Sequence, residues 1–224
     1  MHLIKNSLLI IFISCQTFSQ NTLPTLGEST FGITHKISKK ITSSFSIRSR
    51  YFLSTYAKAK FKQQQLDAYH FSTLALSNNK KASLGIYYRN RVFFNTGSNE
   101  LRLMQQWRYS KPLTRVRLRH RFRAEQRMLD SETIFRQRYR FAIDFPLKGR
   151  RLSIGEPYMF NSVEGLWSLN QGSKPEIDSR TTTQIGWQLS EVLKIQTGLE
   201  YRLEAFNTVA KNYIFLLTSA ILRI

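Results

Sequence analysis

Residues 115–127 restrict the fold more than any other stretch of the chain. Arg115, Arg117, Arg119, Arg121, Arg123, Glu125 and Arg127 hold one parity, and Val116, Leu118, His120, Phe122, Ala124 and Gln126 hold the other. In an extended strand, residues two apart share a face, so this pattern sorts charge to one side and apolar groups to the other. On a helix the same arginines would wrap the whole surface and leave no apolar stripe. The segment therefore reads as a strand.

The same period recurs. Ser46, Arg48 and Arg50 alternate with Phe45, Ile47 and Tyr51, and Tyr87, Arg89 and Arg91 with Ile86, Tyr88 and Val92. Arg102, Gln106 and Arg108 alternate with Leu101, Leu103, Trp107 and Tyr109. Arg136, Arg138, Arg140 and Asp144 alternate with Phe135, Tyr139, Phe141, Ile143 and Phe145. Arg180, Thr182, Gln184 and Gln188 oppose Ile185, Trp187 and Leu189; Lys194, Gln196, Glu200, Arg202 and Glu204 oppose Ile195, Leu199, Tyr201 and Leu203. A soluble sandwich would turn the apolar parity inward, whereas a membrane barrel turns it to lipid and lines its lumen with the polar parity. The strands are about 11 to 16 residues long, enough to cross a bilayer tilted. Their apolar parity carries Tyr, Trp and Phe near strand ends, as interfacial girdles do. The last strand, Lys211 to Ile224, keeps Ile214, Leu216, Thr218, Ala220, Leu222 and Ile224 on one parity, much like a barrel's C-terminal strand, with Ile224 where an aromatic is usual. The fold class expected is all-β: one antiparallel up-and-down transmembrane β-barrel of 10–12 strands with a polar, Arg-rich lumen.

The N-terminus reads as an export signal over residues 1–20. Lys5 supplies the positive region, Leu8 to Ile13 the apolar core, and Ser14 to Gln20 a small, polar cleavage region, so the barrel is expected over residues 21–224. The apolar core is too short for a membrane helix, and no other stretch approaches about 18 apolar residues. Cys15, the only cysteine, lies inside the signal, leaving a mature chain without disulfides. Cleavage before Cys15 as a lipoprotein is the alternative, although Phe12 departs from the usual lipobox.

Short turns are expected at Ser38–Lys40, Asn78–Lys81, Lys111–Thr114, Pro146–Arg151 and Ser190–Val192, all on the C-terminal, periplasmic side. Longer links fall at Ala57–Leu66, Asn95–Asn99, Asp130–Glu132, Asn170–Asp178 and Asn207–Ala210. The tally is eleven strands. Bacterial single-chain barrels have even numbers, so either Phe31–Ile37 does not span, giving ten, or part of Asn21–Glu28 adds a strand, giving twelve.

The run Arg117-Leu-Arg-His-Arg-Phe-Arg-Ala-Glu-Gln-Arg127, followed by Phe135-Arg-Gln-Arg-Tyr-Arg140 and a turn containing Pro146, resembles a family of small outer-membrane proteins of the Bacteroidetes type, catalogued as a domain of unknown function. Glu164 in Asn161-Ser-Val-Glu-Gly and Glu200-Tyr-Arg202 fit the same pattern, and the resemblance covers Phe31 to Ile224. It implies fold and outer-membrane location. It carries no activity, so no catalytic residue is transferred.

The formal charge is +20, one less without Lys5. Such a balance commonly points to nucleic acid or an anionic surface. Here the arginines alternate with membrane-grade apolar residues, which makes them lumen-lining and excludes a nucleic-acid face. The expected lining set is Arg89, Arg91, Arg102, Arg108, Arg115, Arg117, Arg119, Arg121, Arg123, Glu125, Arg127, Arg136, Arg138, Arg140, Glu164, Glu200 and Arg202. Its acids come from Glu100, Glu125, Asp144, Glu156, Glu164, Glu200 and Glu204. Long Arg and Glu side chains can fill a lumen of this size with bidentate pairs, which gives a structural, closed or narrow barrel. An unbalanced positive lumen could instead attract anions, as a small pore or a solute site. A lipid-acting enzyme is the third class. Its candidates are weak: His120 falls on the lipid-facing parity, His70 has no evident partner, and His35 lies in the doubtful first strand. No metal-ligand spacing, G-x-S-x-G elbow or phosphate-binding glycine loop occurs, so no metal, no cofactor and no catalytic residue are expected. The partners expected are outer-membrane lipid and, during biogenesis, the barrel-assembly machinery and periplasmic chaperones. The chain is expected to be monomeric.

Overall fold

The computed structural model describes residues 23–55, 58–149 and 153–224. The expected signal segment, Cys15 and the expected mature start at Asn21 lie outside these residues. Eleven strands make up the described chain: β1 (Thr25–Lys36), β2 (Ile41–Thr55), β3 (Lys58–Ala75), β4 (Lys80–Asn90), β5 (Glu100–Pro112), β6 (Arg117–Met128), β7 (Thr133–Pro146), β8 (Pro157–Asn170), β9 (Glu176–Gln188), β10 (Leu193–Glu204) and β11 (Lys211–Arg223). A 3-10 turn, Val92–Phe94, follows β4. None of the described helical segments is long and apolar enough to cross a membrane, which says nothing about crossing by strands.

Each strand pairs antiparallel with its sequence neighbour, and β1 pairs with β11 to close the barrel. Neither even count is realised. The structure keeps all eleven strands, and an odd up-and-down count obliges the first and last to run the same way. The β1–β11 seam is accordingly parallel, in register from Thr25↔Ile214 to Thr34↔Arg223. Ile214 N donates to Pro24 O at 3.2 Å, Lys36 N to Ile224 O at 3.1 Å and Ile224 N to Thr34 O at 2.9 Å, so the ladder stays satisfied along its length. Closure removes the unpaired edges that a bilayer or an aggregating neighbour would penalise. It also places the start of β1 at the rim opposite the C-terminus. We call the two ends the C-terminal rim and the far rim.

Three connections differ from expectation. Ala57–Leu66 is not a long link, because most of it lies in β3, whose 18 residues pair with β2 through two register shifts near Tyr51 and Phe52. Backbone pairing needs no apolar face, so this polar hairpin continues toward the far rim. The turn expected at Pro146–Arg151 lies partly outside the described residues; β7 ends at Pro146 and β8 begins only at Pro157, on the C-terminal rim, where Gly155 N donates to Gln188 O at 2.7 Å and ties the approach to β8 to β9. Asp178, expected in a link, lies within β9 because that strand begins at Glu176.

The two parities have opposite fates. Leu84, Val163, Leu199 and Leu216 stand exposed on the outside, while Glu100, Glu125, Glu164 and Arg202 are buried within. Trp107, Tyr109, His120, Phe122, Tyr139 and Phe141 form a continuous ring array on the outer face of β5–β7. Inside, two glycines make room for aromatic rings: a Cβ on Gly85 would overlap the Phe71 ring, and one on Gly186 the Tyr158 ring. These rings therefore lie flat across the lumen wall.

Candidate functional site

Arg and carboxylate side chains meet inside the barrel because the strand register sets them at matching heights. Arg121 lies opposite Arg140 and Arg123 opposite Arg138 on β6 and β7, and Arg140 lies opposite Glu164 on β8. Like charges directly opposed across strands are unfavourable. Glu164 resolves part of this conflict, accepting from Arg121 Nη2 at 2.5 Å, Arg138 Nη2 at 2.8 Å and Arg140 Nη2 at 3.1 Å. Glu125 takes Arg138 Nη1 at 2.8 Å, Arg102 Nη1 at 3.4 Å and, more distantly, Arg123. Glu100 binds Arg102 Nε at 2.7 Å, Arg127 Nε at 2.5 Å and Arg89 Nη1 at 3.3 Å.

The remaining walls are built the same way. On β1, Glu28 accepts from Arg50 Nη2 at 2.8 Å, pairs with Arg48 Nε at 3.2 Å and reaches Arg202 of β10 at 3.4 Å, an ion pair across the β1–β11 seam. Arg202 Nε also binds Glu200, which accepts from Thr182 at 2.8 Å. Asp67 holds Arg89 Nε at 3.1 Å and the Gln65 amide at 2.9 Å. Toward the C-terminal rim, Asp144 binds Arg117 and Arg119, Arg119 lies over the Phe160 ring, and Lys194 lies over the Tyr158 ring. These are charge-assisted contacts in a confined space, where guanidinium forks suit carboxylates geometrically.

Between the walls lies a cavity of about 740 Å³ that extends to the far rim. Of the sequence-expected set, Arg89, Arg91, Arg102, Arg121, Arg123, Glu125, Arg127, Arg136, Arg138, Arg140, Glu200 and Arg202 line it. Arg136 gives its Nε to Ser168 at 2.7 Å, and Arg91 gives its Nε to Gln65 at 3.0 Å. Glu164 sits behind the cavity wall, buried under its three arginines. Arg108 reaches Thr73 at 3.3 Å, and Arg117 and Arg119 belong to the Asp144 cluster below. Arg115 stands apart: it lies exposed in the turn before β6, because that strand begins at Arg117. Glu156 is also outside the lumen, directly before β8, where it accepts from Ser153 N at 3.3 Å.

Several lumen residues were not in the expected set. Glu28 ends the segment Asn21–Glu28, Asp178 ends the link expected at Asn170–Asp178, and Asp67 follows directly on the link expected at Ala57–Leu66. Asp178 accepts from Ala205 N at 2.9 Å and faces Arg136 at 3.8 Å. Arg48, Arg50 and Arg180 carried the alternation signal but not the concentration of charge seen in β6 and β7. Tyr87, Tyr158 and Phe215 sit on the polar parity as aromatic cation acceptors, with Arg102 over Tyr87 at 4.3 Å and Arg202 over Phe215 at 3.6 Å.

Among the described residues the histidines gather no acid. His120 pairs with the Tyr139 hydroxyl at 2.9 Å and His70 with Ser72 at 3.2 Å, both half-buried on the outer face, and His35 is exposed on β1. Among the described residues no three His, Cys, Asp or Glu side chains come together as a metal site.

The sequence matches the profile of the family described as "Protein of unknown function (DUF2490)" over residues 29–213. No curated protein matches the chain. Among solved structures, LpxR from Salmonella typhimurium is similar with a TM-score of 0.47 and 13% identity, over 82% of this chain and 83% of that one.

Proposed function

The chain belongs to this family of unknown function, and we propose that it is an outer-membrane barrel whose Arg–carboxylate network shuts the lumen to free diffusion. The observation that carries this reading is the way single carboxylates tie several strands together. Glu125 on β6 holds arginines of β5, β6 and β7, Glu164 on β8 holds arginines of β6 and β7, and Glu28 on β1 holds arginines of β2 and β10. Below them, the buried Phe160 and Tyr158 rings lie on the lumen side of the wall with Arg119 and Lys194 over them. A barrel of this strand number lies between the side-chain-filled eight-stranded type and the open porins; the network crosses the lumen at mid-height and toward the far rim, and the Asp144 cluster with the Phe160 and Tyr158 rings fills the part nearer the C-terminal rim. The apolar outer parity with its ring array suits contact with lipid, and the export signal read over residues 1–20 supports delivery to the outer membrane. The C-terminal rim, which carries most of the four-residue turns, then faces the periplasm and the far rim faces outward. The test is conductance of the purified barrel in planar bilayers. The expected trace is silent; steady, ohmic single-channel steps would refute a shut lumen.

A further inference from the structure

The ion-pair network leaves some of its guanidinium N–H groups without an acceptor. Arg121, Arg123, Arg138 and Arg140 form a two-by-two patch on adjacent strands and share two carboxylates, Glu125 and Glu164, with Arg102 drawing on the first of these. The Nε atoms of Arg121 and Arg140 are buried without any hydrogen-bond partner. Arg180 follows Glu164 in register on β9; its ion pair is a distant 3.9 Å contact to Glu204, and its Nε is likewise buried and unpartnered. All three side chains line the cavity. A buried guanidinium N–H without an acceptor is costly, and a cluster of them beside an unneutralised excess of positive charge amounts to a site lacking its anion.

We infer that this cavity is a binding site for a small, soluble phosphate-bearing solute, held by Arg121, Arg140 and Arg180 and entered from the far rim. The site goes beyond the shut-lumen reading and does not depend on it. Three lines of physical chemistry specify the ligand. Planar guanidinium forks from three strands, set on one register row and lining one cavity, match the several oxygens of a tetrahedral dianion better than one carboxylate can. The volume, about 740 Å³, suits a small molecule and excludes a polymer. The wall facing the patch carries Thr182, Gln184, Gln196 and Ser219, hydroxyl and amide groups able to take the polar body of such a solute. The barrel is closed all round, so no lateral gap between strands admits a lipid headgroup from the bilayer.

The experiment is calorimetric titration of the full-length barrel in uncharged detergent, in buffer free of phosphate and sulfate, at ionic strength fixed with chloride. The probes are inorganic phosphate, pyrophosphate, glycerol 1-phosphate and a short-chain phosphatidic acid. Saturable binding of the soluble phosphates above the chloride background is expected, with at least a tenfold loss of affinity in Arg180→Gln. That variant leaves the Glu164 cluster whole, so it separates binding from folding. The double variant Arg121→Gln/Arg140→Gln should abolish binding, and Arg117→Gln, outside the cavity, should leave it unchanged. Heats that follow ionic strength alone, or saturable binding that Arg180→Gln does not weaken, would overturn the proposal. Binding of phosphatidic acid alone would overturn the assignment to a soluble solute. A barrel that conducts yet binds phosphate saturably would refute the shut lumen and support this site.

Discussion

Replacing Glu164 by Gln should be the most damaging single change to the lumen. The carboxylate is almost fully buried and accepts hydrogen bonds from three arginines. Gln keeps the shape and one acceptor oxygen but removes the negative charge from among three cations. Breaking a buried pair by removing one partner costs about 3–5 kcal/mol. Two features move this case to the lower end. Arg138 retains Glu125 at 2.8 Å, and the side chains of Arg121 and Arg140 are 18% and 25% exposed to the cavity, where water can reach them. The expected loss is therefore about 3 kcal/mol, which at a urea dependence of roughly 2–3 kcal/mol per molar is a midpoint shift of about 1 M or more. Urea unfolding from phospholipid vesicles, followed by tryptophan emission, measures it. Trp107, Trp167 and Trp187 all occupy the outward parity and would report loss of the lipid environment. The same substitution in an Arg121→Gln/Arg140→Gln background should cost much less, because two of the three stranded charges are already gone. A midpoint unchanged within error, or strictly additive effects in the cycle, would refute the network as a coupled unit.

Other consequences are more local. Leu199 and Leu216 face each other outward near mid-strand, so Leu199→Arg should cost about 2–4 kcal/mol in vesicle unfolding, whereas the inward Thr182→Ser should cost under about 1 kcal/mol; equal losses would contradict the facing. Gly85→Val would drive a side chain into the Phe71 ring and should destabilise by about 1–3 kcal/mol, while Gly165→Ala, where nothing lies within 4 Å of the added Cβ, should change stability by less than about 0.5 kcal/mol. The parallel seam can be trapped directly. Ser29 and Thr218 are register partners with their hydroxyls 2.9 Å apart, so a Ser29→Cys/Thr218→Cys pair, in a Cys15→Ser background, should form an intramolecular disulfide on oxidation. Its failure to form in folded barrel, with a Ser29→Cys/Ser219→Cys pair linking instead, would mean that the register is wrong.

The alternation in β6 and β7 settled the all-β class from sequence, because strict period two cannot be reconciled with a helix that buries anything. It also sorted inward from outward positions, since strand parity is local and a run of arginines leaves one workable face. Most turns were legible for the same reason, with Lys, Asn, Gly or Pro interrupting the period. Where the local signal thins, strand limits are not legible in the sequence. The polar alternation of residues 58–66 carries no apolar face, so it looked like a link although its backbone pairs with β2. Glu28 and Asp178 were lost because they sit next to strand boundaries.

Two matters were decided only in three dimensions. One is closure: nothing local in β1 or β11 declares that they meet, and the parallel seam follows from the global demand that no edge be left unpaired once eleven strands are laid side by side. The other is which charges neutralise which. Composition gives an excess of arginine, but whether it is spread or concentrated depends on register across strands far apart in sequence. Glu28 meets Arg202 over a separation of 174 residues, and Arg121, Arg140 and Arg180 come together around one cavity with Nε–H groups to spare. Coulomb interactions act on distance in space, and only the folded barrel fixes those distances.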